Sequence, residues 1–323
     1  MLNANITELE QQLAAGQIAC PHCRALFSRN GLAPLSTVAC PSCGKSFLVG
    51  IQVGKYYLQE SIDADAMLFL ALSQEEKEVF PVTVKLIPTS ESENLEAIKA
   101  LWTEAQVGGL LNDTDYVTGC LDHGVSNGYY YIVRPYVEGE RLDQYVARLG
   151  KLPVTNAIKL ALHILAGLQH LYRLGFLYRN LKPENVFITS SGYAVLHDLG
   201  QCRPLSEASE PAPDSATEPP LSSYSPERLL NQGEYITSEI YSLGMLLFFT
   251  LTGTQYFTKE ELTDLIARRF RGKRPASPHL AEMPASLAIL LDSMLRFDRI
   301  ERPQSCTDVA DSLKAILTEL EDE

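Results

Sequence analysis

The stretch Phe176-Leu-Tyr-Arg-Asn-Leu-Lys-Pro-Glu-Asn-Val-Phe-Ile188 constrains this chain more than any other. It follows Gly175 and a long amphipathic helix pattern, and it sets Arg179, Asn180, Lys182 and Asn185 between apolar residues. A solvated surface loop rarely alternates apolar and reactive side chains so densely, so the segment is expected to be anchored in a core while it presents polar groups. Ten residues further on, His197-Asp198-Leu199-Gly200 delivers a carboxylate at the end of an apolar run. A fold for this chain has to place these two segments on a common scaffold.

At 323 residues the chain suits two or three domains. The net charge of −13 disfavours nucleic acid or an anionic membrane as partner. No apolar run approaches the ~18–20 residues of a membrane span, Tyr241 to Leu251 being too short, and the first ten residues lack the basic and apolar regions of a secretory leader. Seven cysteines, four of them in two CxxC pairs, favour a reducing compartment and a metal site over a disulfide framework. These features predict a cytoplasmic protein that does not enter a membrane.

Residues 6–15 carry a short helix pattern, giving an N-terminal helical segment over 1–16. Cys20-Pro-His-Cys23 and Cys40-Pro-Ser-Cys43 then have the spacing of a four-cysteine zinc ribbon over residues 17–50, each knuckle presenting two thiolates to a closed tetrahedral site. Such hairpins bury too little apolar surface to fold alone, so structural zinc would supply the folding energy. The competing reading, a pair of redox dithiols without metal, lacks a surrounding βαβ pattern.

From Val53 the texture changes to strand-like runs: Tyr56–Ile62, Ala66–Leu72, Val79–Ile87, Val117–His123 and Tyr129–Val137, the last two joined by the turn signal Ser126-Asn127-Gly128. Glu91–Leu111 has helical periodicity, with Leu95, Ile98, Leu101, Trp102, Ala105 and Leu110 mostly on one face. The remainder reads as helical over Val154–Leu174, Ser238–Leu251, Lys259–Arg271, Ala285–Arg296 and Thr307–Leu320, the second apolar nearly all round. Between Asp198 and that buried helix, Pro204–Ser223 is rich in Pro, Ser, Ala and Glu and is the segment expected to be most mobile.

These motifs resemble, in order and spacing, those of eukaryotic-like Ser/Thr protein kinases over roughly residues 53–318. The resemblance implies an α+β, two-lobed kinase-like fold, with a β-rich small lobe over 53–137 and a helical large lobe over 138–320, preceded by the ribbon. Lys85 in Val82-Thr83-Val84-Lys85 looks like the lysine that holds the α- and β-phosphates, and Glu104 like its ion-pair partner. Asp198 and Asn185 resemble the two Mg²⁺ ligands, and the Pro135 carbonyl with the Val137 N–H resembles the adenine hinge. Glu227 in Ser225-Pro226-Glu227 and Arg302 resemble a buried ion pair, and Glu239 stands where the central helix motif has Asp. Arg179 resembles the arginine that meets a phosphate on the activation segment, whose analogue here carries Ser206, Ser209, Ser215, Thr217, Ser222 and Ser223.

The departures from the family pattern decide the functional expectation. Asn180 stands where the resemblance calls for the catalytic Asp, and an amide has no basic lone pair with which to take a proton near neutral pH. The three glycines of the phosphate-covering loop are replaced by Ser61, Asp63 and Ala66, and Asp63 with Asp65 would set carboxylates beside a triphosphate. Thr83 and Phe187 narrow the adenine slot, and Arg134 falls at the gatekeeper, where Glu104 and Asp198 are its natural partners. Lys85 with Glu104 would serve equally as a structural ion pair, and Asp198 and Asn185 would be satisfied equally by backbone donors.

The sequence therefore predicts a pseudokinase that acts as a signalling scaffold or allosteric module with a protein partner, holding structural zinc and binding Mg-ATP weakly or not at all. A weak, unconventional phosphotransferase using Lys85, Asn185 and Asp198 is the enzyme alternative. A third is a nucleic-acid-linked regulator acting through the ribbon's Arg24, Arg29 and Lys45.

Overall fold

The computed structural model describes residues 11–12, 14–75, 78–91, 93–111, 114–210, 223–271 and 277–322. Most of the helix expected over 6–15 lies outside these residues, as do Ser215, Thr217 and Ser222. The chain divides into two compact units, one holding the described residues up to Gly109 with Gly119–Tyr136, the other holding those of Leu110–Thr118 and from Val137 onward. Residues 17–50 thus share a unit with the strands that follow them.

The first unit opens with two short antiparallel hairpins, β1 (Gln17–Ala19) with β2 (Leu26–Ser28) and β3 (Thr37–Ala39) with β4 (Ser46–Leu48). A CxxC turn closes each by the same scheme: Cys20 N–H donates to Ala25 O and Arg24 N–H to Cys20 O, while Cys40 N–H donates to Lys45 O and Gly44 N–H to Cys40 O. Arg24 and Gly44 both take a left-handed backbone, which Gly44 adopts without the steric cost that Arg24 bears. Ile18, Cys20, Cys40, Phe47 and Val49 form the small core of this region, with Phe27 edge-on to Phe47.

A six-stranded antiparallel sheet follows, made of β5 (Gln52–Val53), β6 (Tyr56–Asp63), β7 (Leu68–Glu75), β8 (Glu78–Pro88), β9 (Asp122–Ser126) and β10 (Tyr129–Pro135), in the order β5-β6-β7-β8-β10-β9. Alternation along the strands splits their apolar residues between two faces. On one, Tyr56, Leu58, Phe69, Ala71, Val82, Val84, Leu86 and Val133 cluster with Leu48 and Ile51 at the ribbon's end and with Leu35 from its middle. On the other, Ile87 and Ile132 pack against Leu101 and Ala105 of α1 (Leu95–Gly108), whose first turn is capped by the Asn94 side chain. The ribbon and α1 therefore contribute to opposite apolar clusters of one sheet.

Two sequence expectations for this unit need correction. The strand expected over Val117–His123 forms instead at Asp122–Ser126, an edge strand of alternating exposure that presents no continuous apolar run to be read. Val117 bridges to Leu196, and Thr118 bonds the Leu196 carbonyl through both backbone and hydroxyl. The helix starts at Leu95, not Glu91, and Leu95 and Trp102 lie on its exposed side, while Glu104 turns inward.

The second unit contains β11 (Gly139–Arg141), α2 (Leu142–Leu149), which the sequence reading did not anticipate, α3 (Val154–Arg173), β12 (Phe176–Leu177), β13 (Val186–Thr189), β14 (Ala194–Leu196) and β15 (Arg203–Pro204). Its later helices are α4 (Ile236–Thr252), α5 (Lys259–Ala267), α6 (Ala285–Met294) and α7 (Cys306–Asp322). Helix α4 is buried along nearly its whole length, as its all-round apolarity predicts, and Gly244 admits Met294 and Leu295 where a Cβ would stand 3.0 Å from Leu295. Small antiparallel sheets, β11-β13-β14 and β12-β15, brace the segment between Leu177 and Val186 at both ends. No helix among the described residues is long and apolar enough to cross a membrane.

Candidate functional sites

Four cysteines form the first site. The Sγ atoms of Cys20, Cys23, Cys40 and Cys43 all lie within 4.8 Å of one another, Cys20 to Cys43 at 3.8 Å and Cys23 to Cys40 at 3.6 Å. A tetrahedral ion with ~2.3 Å metal–sulfur bonds needs its ligands about 3.8 Å apart, so the donor set fits a metal ion. Burial pushes the Cys40 thiol up, but backbone donors at Cys43 and Ser42 and the neighbouring thiols outweigh it and bring it down to about 6. Cys23 shifts the other way: the Ala25 backbone bond lowers it, but burial and the three neighbouring thiols outweigh that bond and push it up to about 12. A metal ion takes its cysteine ligands as thiolates.

The second set lies on the sheet and α1. In β10, Arg134 stands directly opposite Thr83 of β8, and its Nη2 donates to Glu104 Oε2 at 2.5 Å. Both side chains are more than nine-tenths buried. The expected Lys85–Glu104 pair is not formed among the described residues. A guanidinium reaching across from β10 is the stronger partner for a buried carboxylate, since it is more weakly hydrated than an ammonium. Lys85, half-buried, pairs in register with Leu68 and Ile132.

The phosphate-loop positions sit on the β6–β7 hairpin. Ser61 and Asp63 fall at its end, with a register shift between them, and Ala66 is in the turn. Asp63 Oδ1 accepts the Ala66 N–H at 3.0 Å, so the turn satisfies with its own carboxylate an amide that a glycine-rich loop would leave for a phosphate. Val137 follows β10 and the exposed Tyr136, and is half-buried.

The third set belongs to the second unit. Asn180 Nδ2 donates to the Asp198 carbonyl at 3.1 Å, and Asn185 Nδ2 donates to the Asn180 carbonyl at 2.9 Å. A carboxylate at 180 could not make the first bond, because it carries no donor. Asp198 adopts a left-handed backbone (φ 57°), and its Oδ1 takes a long 3.4 Å bond from Gly200 N–H. Tyr178 is buried and donates its hydroxyl to the His197 carbonyl, while Phe187 packs on the His197 ring at 4.3 Å.

Behind this loop lies a charged network of which the sequence reading saw only parts. Glu239 Oε1 accepts the Arg179 N–H at 2.6 Å. The Arg179 side chain turns to Glu234, with its Nε at 2.6 Å and Nη2 at 2.5 Å from Oε1. The arginine that the resemblance assigns to a phosphate is thus paired with a carboxylate of the chain itself. Glu234 was missed because no periodicity marks an acid in the turn before α4; the available signal was that a buried Arg179 requires a counter-ion.

Burial holds the Glu239 carboxyl up at about 7 against the usual 4.5, despite the Arg179 N–H. A folded pKa above the unfolded one contributes stability that is complete below about 4.5 and lost as pH rises through about 7. Glu239→Gln is therefore expected to gain roughly 2 kcal/mol relative to the wild type between pH 5 and pH 8, read from urea denaturation at the two pH values.

Residues 67–313 match the family model described as protein kinase domain. The chain is 24% identical over 263 residues to a probable serine/threonine-protein kinase of Clostridium perfringens, covering 81% of this chain and 38% of the relative. It is 29% identical over 238 residues to the probable serine/threonine-protein kinase PknB of Lactococcus lactis, covering 72% and 37%. With the serine/threonine-protein kinase PknD of Mycobacterium tuberculosis it shares 26% over 275 residues, 84% of this chain and 41% of that one. The chain thus spans about two fifths of the length of these relatives.

Proposed function

Since this chain belongs to the protein kinase domain family, and carries an amide where the resemblance calls for a base, we propose that it is a pseudokinase: a scaffold or allosteric module that binds a protein partner. The observation that carries this reading is the Asn180 amide donating to the Asp198 carbonyl, which commits the side chain to bracing the loop. The Arg134–Glu104 pair and the self-capped Asp63 turn support it, because the first takes the carboxylate that the family resemblance assigns to Lys85 and the second takes a loop amide that it assigns to phosphate. The acidity of the chain favours a protein over nucleic acid as partner. We read the metal of the four-cysteine site as structural zinc, the ion that four thiolates in a closed tetrahedron select.

A weak phosphotransferase is the second reading, favoured by Asp198 and Asn185 remaining beside Asn180. Autophosphorylation measured beside Asp198→Ala separates the two: the pseudokinase reading expects no difference, and activity lost in the variant overturns it. Asn180→Asp tests the loop itself. It removes a donor and sets a carboxylate against the Asp198 carbonyl, so it is expected to cost about 1–3 kcal/mol of stability without producing phosphotransfer.

A further inference from the structure

Glu234 ties together the loop after β12, the segment carrying Arg228 and the stretch ending at Ser209, the first two through its carboxylate and the third through its backbone N–H. It takes two donors from Arg179 on the loop after β12, and its Oε2 lies 3.7 Å from Arg228 Nε. Arg228 in turn donates to the Arg179 carbonyl and stacks over the Tyr224 ring at 3.5 Å. The Arg179, Glu234 and Arg228 side chains are each nearly nine-tenths buried or more. Glu234 is held from behind as well: its own N–H donates to the Ala208 carbonyl at 2.7 Å.

Next to it, Gly233 lies so close to the chain at Ser209 that a Cβ there would stand 2.4 Å from the Ser209 carbonyl oxygen. The stretch from Arg203 to Ser209 is thereby pinned at both ends. Arg203–Pro204 pairs with Phe176–Leu177, Leu205 N–H bonds the Gly175 carbonyl, and Ala208–Ser209 rests on Gly233–Glu234.

We propose that Glu234 is a built-in counter-ion that locks the Arg179–Asn180 loop and the Arg203–Ser209 stretch in one conformation, so that the lock is set by the chain itself and needs no phosphorylation. The chemistry follows from the seat. Two buried guanidiniums would attract an anion of any origin; the resident carboxylate takes charge-assisted bonds from Arg179 and lies 3.7 Å from Arg228 Nε. An added phosphate on Ser206 or Ser209, both exposed, finds no unoccupied guanidinium on Arg179. The lock is independent of whether the loop transfers phosphate, so its failure and the failure of the pseudokinase reading are separable.

Hydrogen–deuterium exchange on the full chain tests it. In Glu234→Gln, which keeps the shape and removes the charge, amides of 176–180 and 203–209 are expected to exchange at least tenfold faster, with α3 and the sheet of the first unit unchanged. Glu234→Asp, which keeps the charge at shorter reach, should fall between the two and serves if the Gln variant does not fold. Arg179→Gln with Glu234→Gln should destabilise no more than the worse single variant, as expected of two halves of one contact. Phosphatase treatment of the wild type should leave exchange at 203–209 unaltered. Unchanged exchange in Glu234→Gln and Glu234→Asp, strictly additive losses, or a phosphatase-induced rise at 203–209 would each overturn the proposal.

Discussion

Replacing Arg302 with Ala is expected to cost about 3–5 kcal/mol of stability, the range for removing one partner of a buried ion pair. The Arg302 side chain is fully buried, and its Nη1 and Nη2 meet Glu227 Oε1 and Oε2 at 2.8 Å each. It also donates to the carbonyls of Arg296, Thr237 and Phe297, so a single guanidinium joins the Ser225–Glu227 turn, the start of α4 and the loop after α6. Truncation strands the Glu227 carboxylate, whose remaining side-chain partner is the Ser238 hydroxyl.

That expectation has a pH signature. Burial raises the Glu227 carboxyl, but Arg302 outweighs it and holds the group below its usual range. A depressed folded pKa contributes stability that is present above the unfolded value near 4.5 and lost as pH falls through the folded one. The wild type should therefore lose its advantage over Arg302→Ala in acid. Urea denaturation at pH 7 and at about pH 3 measures both; a loss under about 1 kcal/mol at pH 7 would contradict the ion-pair reading.

Stripping the metal should have the second large effect, and it should reach beyond the ribbon. Structural zinc sites contribute apparent binding energies of about 10–16 kcal/mol, which small ribbons need in order to fold. Here the folded ribbon supplies Leu35 and Leu48 to the apolar cluster of the sheet, while Ile18, Phe47 and Val49 form its own core. Chelation, or Cys40→Ser, is thus expected to unfold the ribbon and to raise amide exchange in β6, β7 and β8, the strands beneath Leu35 and Leu48. Metal analysis should find about one zinc per chain. A metal-free chain with an ordered ribbon would refute this part of the account.

Much of the site was legible because its chemistry is local. The CxxC spacing alone brings two thiols together in each turn, and the apolar residues flanking Asn180 anchor that segment as expected, although the strands they form at Phe176–Leu177 and Val186–Thr189 fall in a region that reads as helical. What stayed hidden depends on pairing at long range. Whether Glu104 meets Lys85 or Arg134 is decided by the β8–β10 register, which sets Arg134 across from Thr83. Glu234 meets Arg179 from 55 residues away. Edge strand β9 escaped because one of its faces meets solvent and its residues are mostly polar.

The chain's own contacts occupy Glu104 and the Ala66 N–H, groups that the kinase resemblance places at the nucleotide cleft. Thermal unfolding of the full chain with saturating Mg-ATP tests this most directly. A ligand at ~100 times its Kd stabilises by about 2.7 kcal/mol, a shift of about 5 °C or more for a unit of this size. With Arg134 on Glu104 and Asp63 closing its own turn, the account predicts no shift at millimolar Mg-ATP; a saturable rise of several degrees that disappears in Asp198→Ala would contradict it.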